Sequence, residues 1–463
     1  VITLRFDTLA DMTGGELCTA EFRDHTFTGV STDSRTIAAG QLFFAIRGER
    51  NNGHQFIDQV VSRGAAGVVS ERGYFTDKPL PSHVAVVEVS DTHAAMIQLA
   101  AEYLQTTKAR RLGITGSNGK TTTKEFAYRL LSACGSDVYR SPGNFNNLFG
   151  IPLALFAMPA DTRYALLEMG ISVPGEMARL ASLIRPHLLT VVNVGPTHLE
   201  FLKTVQGVAR EKLLAMSYAM PEGSLVVNAD DPILMAEARK VHPHPITFGI
   251  ENKADYKPEF IHQSGAATTV TIEGNLFRLP LFGQYQVYNL LAAYAIAHTV
   301  GCRFDAVDTE SIVLNTAAMR GELIKARGIS FVADCYNANP ESVKAGLASF
   351  ARMSGGRRKV VIFGDMLELG DNALGYHRDI GSQLAKFDFD MILTVGPLSE
   401  HVVASAAASG VAVNRLHHFE DSQTCAEACD GLLLAGDLVY LKGSRGIGLE
   451  TVLKRFTSQE GKA

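Results

Sequence analysis

The stretch GITGSNGKTTTKEF, residues 113–126, carries glycines at 113, 116 and 119, followed by Lys120, Thr121 and Thr122. Glycine has no Cβ and enters positive φ, so a glycine-rich turn lets backbone N–H groups close around an anion. A lysine at the end of such a turn reaches β- and γ-phosphates, and the next hydroxyl ligates Mg2+. The usual spelling of this loop, G-x-x-x-x-G-K-[ST], calls for glycine at 114, where this chain has Ile114. The stretch therefore reads as a variant phosphate loop. Gly116, Ser117, Asn118, Gly119, Lys120, Thr121 and Thr122 are its ATP-binding candidates, and Thr121 is also a metal candidate.

A carboxylate and an imidazole follow at matching places. Glu168 ends the buried-strand pattern RYALLEMG, and His198 follows the strand pattern LLTVVNVG. Ligands of open α/β sheets bind beyond the carboxyl ends of the strands, which puts Glu168 where a Mg2+ ligand is needed. Lys212 lies in VAREKLLAMSYAM, a segment with helical periodicity.

Elements must hold these groups in register. RRLGITG reads as a strand and TTTKEFAYRLLSACG as the helix after the loop; further buried-strand patterns are RYALLEMG, LLTVVNVG and GSLVVNADD. Helical stretches between most of them imply a parallel sheet. Before this unit, QLFFAIRG, AAGVVS and HVAVVEV read as strands and DTHAAMIQLAAEYLQTT as a helix. After it, ISFVADCY, KVVIFGDM, MILTVGP and DLVYLKGS alternate with the helical ESVKAGLASFARM and GYHRDIGSQLAKF. The predicted fold class is α/β, with three consecutive domains at 1–106, 107–316 and 317–463. The central one is a P-loop ATPase-like parallel sheet and the last is Rossmann-like.

Composition narrows the class. The chain has 463 residues, 46% hydrophobic and 20% charged, with a net charge of −5. That balance gives no bulk attraction for nucleic acid or anionic lipid. No apolar run reaches membrane-spanning length, and the first residues lack the basic–apolar–cleavage pattern of a secretory signal. The six scattered cysteines are expected as reduced thiols in a cytoplasmic protein. Cys425 and Cys429 are spaced to share a helix face, without further Cys or His nearby to complete a metal set.

The spelling TGSNGKTTT resembles the ATP loop of the Mur ligase superfamily, T-G-[ST]-N-G-K-[ST], which accounts for the displaced glycines. The resemblance extends along nearly the whole chain through GNFNNLFGIPL, LLEMGIS, NVGPTHLE, AREKL, VVNADDP, DCYNANPESV, FGDMLELG and LKGSR, in family order. It implies an ATP- and Mg2+-dependent ligase that converts a carboxylate to an acyl phosphate and displaces phosphate with an amine. GNFNN and YNANP look most like the members that add D-alanyl-D-alanine to UDP-N-acetylmuramoyl-tripeptide (UDP-MurNAc-tripeptide). The D-N-P-R box of the diaminopimelate- or lysine-adding members is absent.

The resemblance also implies roles. Lys120, Glu168, His198 and Lys212 are the catalytic candidates; Thr121, Glu168 and His198 are the metal set, with Lys212 as a carbamylated lysine. Asn144, Asn289, Arg320 and Asp334 belong to the nucleotide shell. Many relatives read P-G-R where this chain has Ala318-Met319-Arg320. Ser34, Arg35 and Arg47 are UDP-binding candidates in the first domain. Asn146, Asn147, Asn337, Asn339, Lys442, Ser444 and Arg445 are candidates for placing the substrates, and Glu368 sits in a neighbouring box. The implied protein is a cytoplasmic monomer with small-molecule substrates, without nucleic-acid binding or membrane insertion. The alternatives are another Mur-type ligase, a folylpolyglutamate synthase, a P-loop ATPase switch, and an inactive binding module. The STDSR segment favours a UDP-sugar substrate over the first two. Strict dependence of turnover on a carboxylate and an amine would separate a ligase from a switch, and retention of Lys120, Thr121, Glu168 and His198 together speaks against an inactive module.

Overall fold

The computed structural model describes residues 1–48, 51–264, 267–280, 282–315, 317–353 and 356–457. Residue 316, where the second domain boundary is expected, lies outside them.

The central unit is a six-stranded, all-parallel sheet in the order Ile246–Phe248, Ser224–Asn228, Leu188–Val191, Arg110–Thr115, Tyr164–Glu168, Val138–Arg140. The strand Arg110–Thr115 is first in the chain yet sits in the middle. The chain goes next to the edge strand Val138–Arg140, returns to Tyr164–Glu168 beside the first strand, and then crosses to build outward on the other side, so the carboxyl end of Arg110–Thr115 is a topological switch point. Glu168 is in register with Ile114 on one side, and Val191 with Thr115 on the other. Both faces of this sheet are covered, which explains why its strands are continuously apolar rather than alternating.

The first unit is a five-stranded sheet, parallel except for the short strand Glu16–Leu17. The predicted helix there runs Thr92–Thr106, and Asp91 caps it by accepting from the N–H groups of His93 and Ala94. One apolar cluster joins this unit to the central one, taking in Phe6, Leu99 and Tyr103 together with Ile151, Leu155 and Met177. The third unit is a six-stranded sheet, parallel except for Glu322–Ala326 against Ile329–Ala333. Phe282, from the central unit, is buried in its core beside Phe350 and Tyr440. The expected strands and the two expected helices of this unit, Pro340–Ala351 and Ala373–Leu384, are all present.

Two features depart from the sequence expectations. An antiparallel sheet of Phe260–Ser264, Ala267–Ile272 and Asn275–Leu279 was not anticipated. Along Ala267–Ile272 burial alternates residue by residue, the period of a half-buried strand. The six-free-thiols expectation is corrected at Cys134 and Cys302, which pair as a disulfide with Cα atoms 6.0 Å apart. Helices Lys120–Ala133 and Tyr285–Thr299 pack side by side, so the ends that follow them converge across 168 residues of sequence. Cys425 and Cys429 lie buried on the helix Ser422–Leu432.

Candidate active site

The phosphate loop fills the switch point. Gly119 has φ +82°, and a Cβ there would meet Asn289 Oδ1 at 2.1 Å. No side chain fits at that position while Asn289 lies against the loop. Asn289 is itself fixed, donating from Nδ2 to Gln286 Oε1 at 3.0 Å. Lys120, first residue of the helix Lys120–Ala133, curls back over the loop and donates to the carbonyls of Gly116 (2.7 Å) and Ser117 (3.4 Å). Burial pushes its amine below the ordinary lysine value; Glu168 opposes this and Arg320 adds to it. The Ser117 hydroxyl accepts from the N–H of Gly195 at 3.0 Å, which ties the loop to the segment before His198.

Glu168 is the hub. Its Oε2 accepts from the Thr121 hydroxyl at 2.7 Å, and its Oε1 accepts from Asn146 Nδ2 at 3.0 Å. Lys124, fully buried one turn along the same helix, stands 3.8 Å from Oε2. Lys124 also donates to the carbonyls of Ser141 (2.7 Å) and Gly143 (3.0 Å), and so holds the start of the asparagine-rich loop. Sequence reasoning missed this lysine. Nothing in one sequence marks a helical lysine as inward-facing beside a carboxylate.

His198 takes φ +55° and Glu368, from the third unit, takes φ +61°. They meet with Nδ1 2.9 Å from Oε2. Burial lowers the His198 pKa; Glu368 raises it, while Lys212 and Lys120 lower it further. Lys212 is 1% exposed on the helix Val205–Leu213. Burial, reinforced by Lys120 and opposed by Glu211, pushes its amine well below the ordinary value.

The third unit closes the space over the loop. A cavity of about 580 Å³ is lined by Lys120, Glu168 and His198 on one side and by Arg320, Asp334 and Lys442 on the other. Asn144, Asn146, Asn147, Asn289 and Asn337 also face it. A second cavity of about 280 Å³ shares Asn144 and Arg320 with the first and reaches Arg445. Arg320 stacks on Tyr336 at 4.0 Å, and its Nε is buried without a hydrogen-bond partner.

Several candidates hold their neighbours. Asp334 accepts from Lys442 Nζ at 3.0 Å and from the Tyr440 hydroxyl at 2.9 Å. Asn147 Oδ1 accepts from the N–H groups of Phe149 and Gly150 at the start of the helix Gly150–Ala157. Asn337 Oδ1 accepts from the N–H of Ala338. Asn339 caps the helix Pro340–Ala351. The Ser444 hydroxyl accepts from the N–H of Leu367, and Arg445 lies 3.3 Å from Glu450.

Ser34, Arg35 and Arg47 do not line either cavity. Ser34 is buried in its turn. Arg35 grips Asp33 through two bonds and, as the main cause, pulls its carboxyl down to about 2. Arg47 pairs with Glu71 at 2.7 Å.

Among the described residues no group of three or more His, Cys, Asp and Glu is placed to hold a metal ion. The Glu168 carboxylate and the Thr121 hydroxyl nonetheless meet beside the loop, 2.7 Å apart. A hard cation there would take its remaining oxygens from phosphates and water, which is how Mg2+ is commonly held.

A phosphate loop at a switch point, a buried carboxylate beside it and a third unit closing over both define a nucleotide-dependent enzyme of the phosphate-loop class. Family comparisons agree unit by unit: residues 26–111 match the Mur ligase family catalytic domain, 114–297 the Mur ligase middle domain, and 319–445 the Mur ligase glutamate ligase domain. The chain belongs to the Mur ligase family. It is 34% identical to the UDP-N-acetylmuramoyl-tripeptide–D-alanyl-D-alanine ligase of Bacillus subtilis, over 96% of each chain. The MurF structure from Acinetobacter baumannii superposes with a TM-score of 0.88 at 27% identity, covering 99% of this chain and 100% of that one. The MurF ligase of Thermotoga maritima in complex with ADP gives 0.80 at 26% identity, over 94% and 99%.

Proposed function

We propose that this chain joins D-alanyl-D-alanine to UDP-N-acetylmuramoyl-tripeptide with cleavage of ATP, giving the UDP-MurNAc-pentapeptide precursor of peptidoglycan. The observation that carries this is the cavity in which Lys120 and Glu168 face Arg320 and Lys442 from another unit. A carboxylate attacking a γ-phosphate brings two anions together, and cations converging from both sides offset that repulsion. The tripeptide carboxylate becomes an acyl phosphate; the dipeptide amine then attacks its carbonyl carbon and phosphate leaves.

Lys120 and the loop N–H groups hold the β- and γ-phosphates. In releasing the carbonyls of Gly116 and Ser117, the Lys120 amine exchanges neutral partners for a charged one. Arg320, with its unpartnered Nε, supplies a permanent charge to the phosphates. Asn144, Asn289 and Asp334 hold the adenosine. Thr121, Glu168 and His198 would hold Mg2+, which supplies charge neutralisation for phosphoryl transfer. The buried amine of Lys212, near enough to Lys120 and His198 for their charges to act on one another, takes up CO2 and loses a proton to become a carbamate, an oxygen anion. Ser34, Arg35 and Arg47 hold the UDP moiety. Asn146, Asn147, Asn337, Asn339, Lys442, Ser444 and Arg445 place the peptide substrates. The domain bounds 1–106, 107–316 and 317–463 complete this reading, with the chain acting as a cytoplasmic monomer. Among the described residues no helix is long and apolar enough to cross a membrane.

The test is phosphate release from ATP with UDP-MurNAc-tripeptide and D-alanyl-D-alanine supplied singly and together. Release is expected only with both. Faster turnover with diaminopimelate and the UDP-MurNAc-dipeptide would assign a different member of the family, and release with neither would make the protein an ATPase.

A further inference from the structure

Asn118 lies in the phosphate loop, and its backbone is held within the central unit. Its N–H donates to Asn193 Oδ1 at 2.9 Å, and its carbonyl accepts from Asn193 Nδ2 at 3.2 Å. The side chain, at the cavity wall, meets Asn339, 221 positions later in the chain. Asn339 Nδ2 donates to Asn118 Oδ1 at 2.7 Å, and Asn118 Nδ2 donates to Asn339 Oδ1 at 3.3 Å. Asn339 is equally constrained from behind. Its Oδ1 accepts from the N–H of Ser342 at 2.9 Å, and its own N–H donates to the Ser342 hydroxyl at 3.1 Å, a reciprocal cap on the helix Pro340–Ala351. Each partner is therefore fixed to a different rigid body, and the amide pair bridges them. Asn339 is buried and Asn118 half-buried at the cavity wall, and a buried amide left without its partner is costly, so the pair favours the arrangement that brings the two bodies together.

We propose that the Asn118–Asn339 pair is a latch through which the phosphate loop senses the position of the third domain. The latch makes nucleotide affinity depend on domain closure, and it rests on the reading of that loop as the nucleotide site. Nucleotide contacts are assigned on both sides of the junction, Lys120 and Asn289 before it and Arg320 and Asp334 after it. A ligand touching both sides favours the closed arrangement, and so does the latch. Two contacts that stabilise the same state are coupled, and loss of one lowers the apparent affinity of the other by the fraction of closed molecules lost. Asn339 is then a positioning residue, acting on nucleotide through Asn118. The His198–Glu368 contact joins the same two units at a separate place.

The cap and the latch can be separated by substitution. Serine at 339 caps a helix as well as asparagine but is too short to reach Asn118. Aspartate also caps, and its second oxygen accepts from the Asn118 amide once that amide turns over. Asn339→Ser is expected to weaken ADP binding to the full-length protein about tenfold, the scale of one or two neutral hydrogen bonds, with an unchanged unfolding midpoint. Asn339→Asp is expected to bind ADP nearly as the wild type does. In an Asn118→Ser background, Asn339→Ser should cost nothing further. X-ray scattering of the ligand-free proteins should show a larger radius of gyration for Asn339→Ser than for the wild type, converging at saturating ADP. Equal ADP affinity and equal scattering for Asn339→Ser and wild type would overturn the latch, as would losses that add in full in the double variant. Failure of the wild type to bind ADP would instead overturn the nucleotide reading, and the ligand-free scattering would still decide the latch.

Discussion

Glu168 shows how much a carboxylate depends on the side chains packed around it. Its two oxygens are aimed by Thr121 and Asn146, and Lys124 offsets its charge in the buried space beside the loop. Lys124→Met keeps the volume but removes the donor to Ser141 and Gly143 and the cation beside Glu168. An expected loss of ~1–3 kcal/mol in stability follows from unpaired buried carbonyls. Turnover should fall at least about tenfold as the loop bearing Asn144 and Asn146 loosens and Glu168 loses its neighbour. Denaturant unfolding and steady-state rates measure the two effects; a variant with wild-type values in both would reduce Lys124 to packing. Lys212 makes a different demand. Its amine must be neutral to take up CO2, and burial moves its pKa in that direction. Lys212→Ala is expected to lose about 10²-fold or more in turnover with an intact fold, on the scale of a lost electrostatic stabiliser. Added acetate should restore part of the rate by filling the vacated oxygen position, and full activity of the variant without acetate would sink the carbamate.

At the scale of elements, the site depends on where one strand sits. Arg110–Thr115 delivers the loop from the middle of its sheet, and its start is stitched to the next strand through His187. His187 Nδ1 accepts from the backbone N–H of Arg111 at 3.1 Å, and the backbone N–H of His187 donates to the Arg111 carbonyl at 2.8 Å. Burial first, then Arg111 and Arg110, lower the His187 pKa from 6.5 to about 4. The folded state thus keeps the imidazole neutral where the unfolded chain would protonate it. Stability from this group is complete above the unfolded value, falls as pH drops from 6.5 and levels off below about 4. Urea midpoints measured between those limits should decline, and His187→Asn should flatten part of that decline. An identical slope in the variant would mean that other groups carry the acid sensitivity. The loop helix is the second such element. Lys120, Thr121 and Lys124 all start from its first turns, so one rigid rod fixes the proposed phosphate and metal ligands and the clamp on the neighbouring loop.

The whole molecule divides its labour unevenly. The first and central units share a core through the helices Thr92–Thr106 and Gly150–Ala157, so they behave as one body. The third unit meets them through Phe282 and through polar pairs, a contact suited to opening and closing. In the proposed function, nucleotide recognition belongs to the central and third units and UDP recognition to the first. Arg47→Ala should raise KM for the UDP substrate about tenfold, the scale of a charge-assisted hydrogen bond, and leave the ADP dissociation constant unchanged. A parallel loss of ADP binding would show that the first unit communicates with the nucleotide site, and an unchanged KM would remove Arg47 from the UDP site.

The loop at 113–122, the strand-end Glu168 and the alternation of strands and helices were legible in the chain itself. Each is a local signal: glycine where positive φ is needed, a carboxylate after an apolar run, periodicity within a dozen residues. The asparagine boxes could be recognised as family motifs, but their partners could not be read from them. That Asn147 holds a helix start, that Asn339 reaches Asn118, and that Asp334 is paired with Lys442 depend on contacts between distant segments. The same holds for Lys124, whose type and spacing suit a solvated helix face until the sheet and the 141–147 loop enclose it. The Cys134–Cys302 pair follows the same rule, since only the packing of two helices brings those sulfurs together. Sequence therefore determined which chemical groups are present and which element carries each, because backbone preference and hydrophobic period act over short range. Tertiary structure alone decided which of those groups face one another, because that depends on sheet order and on how the third unit docks.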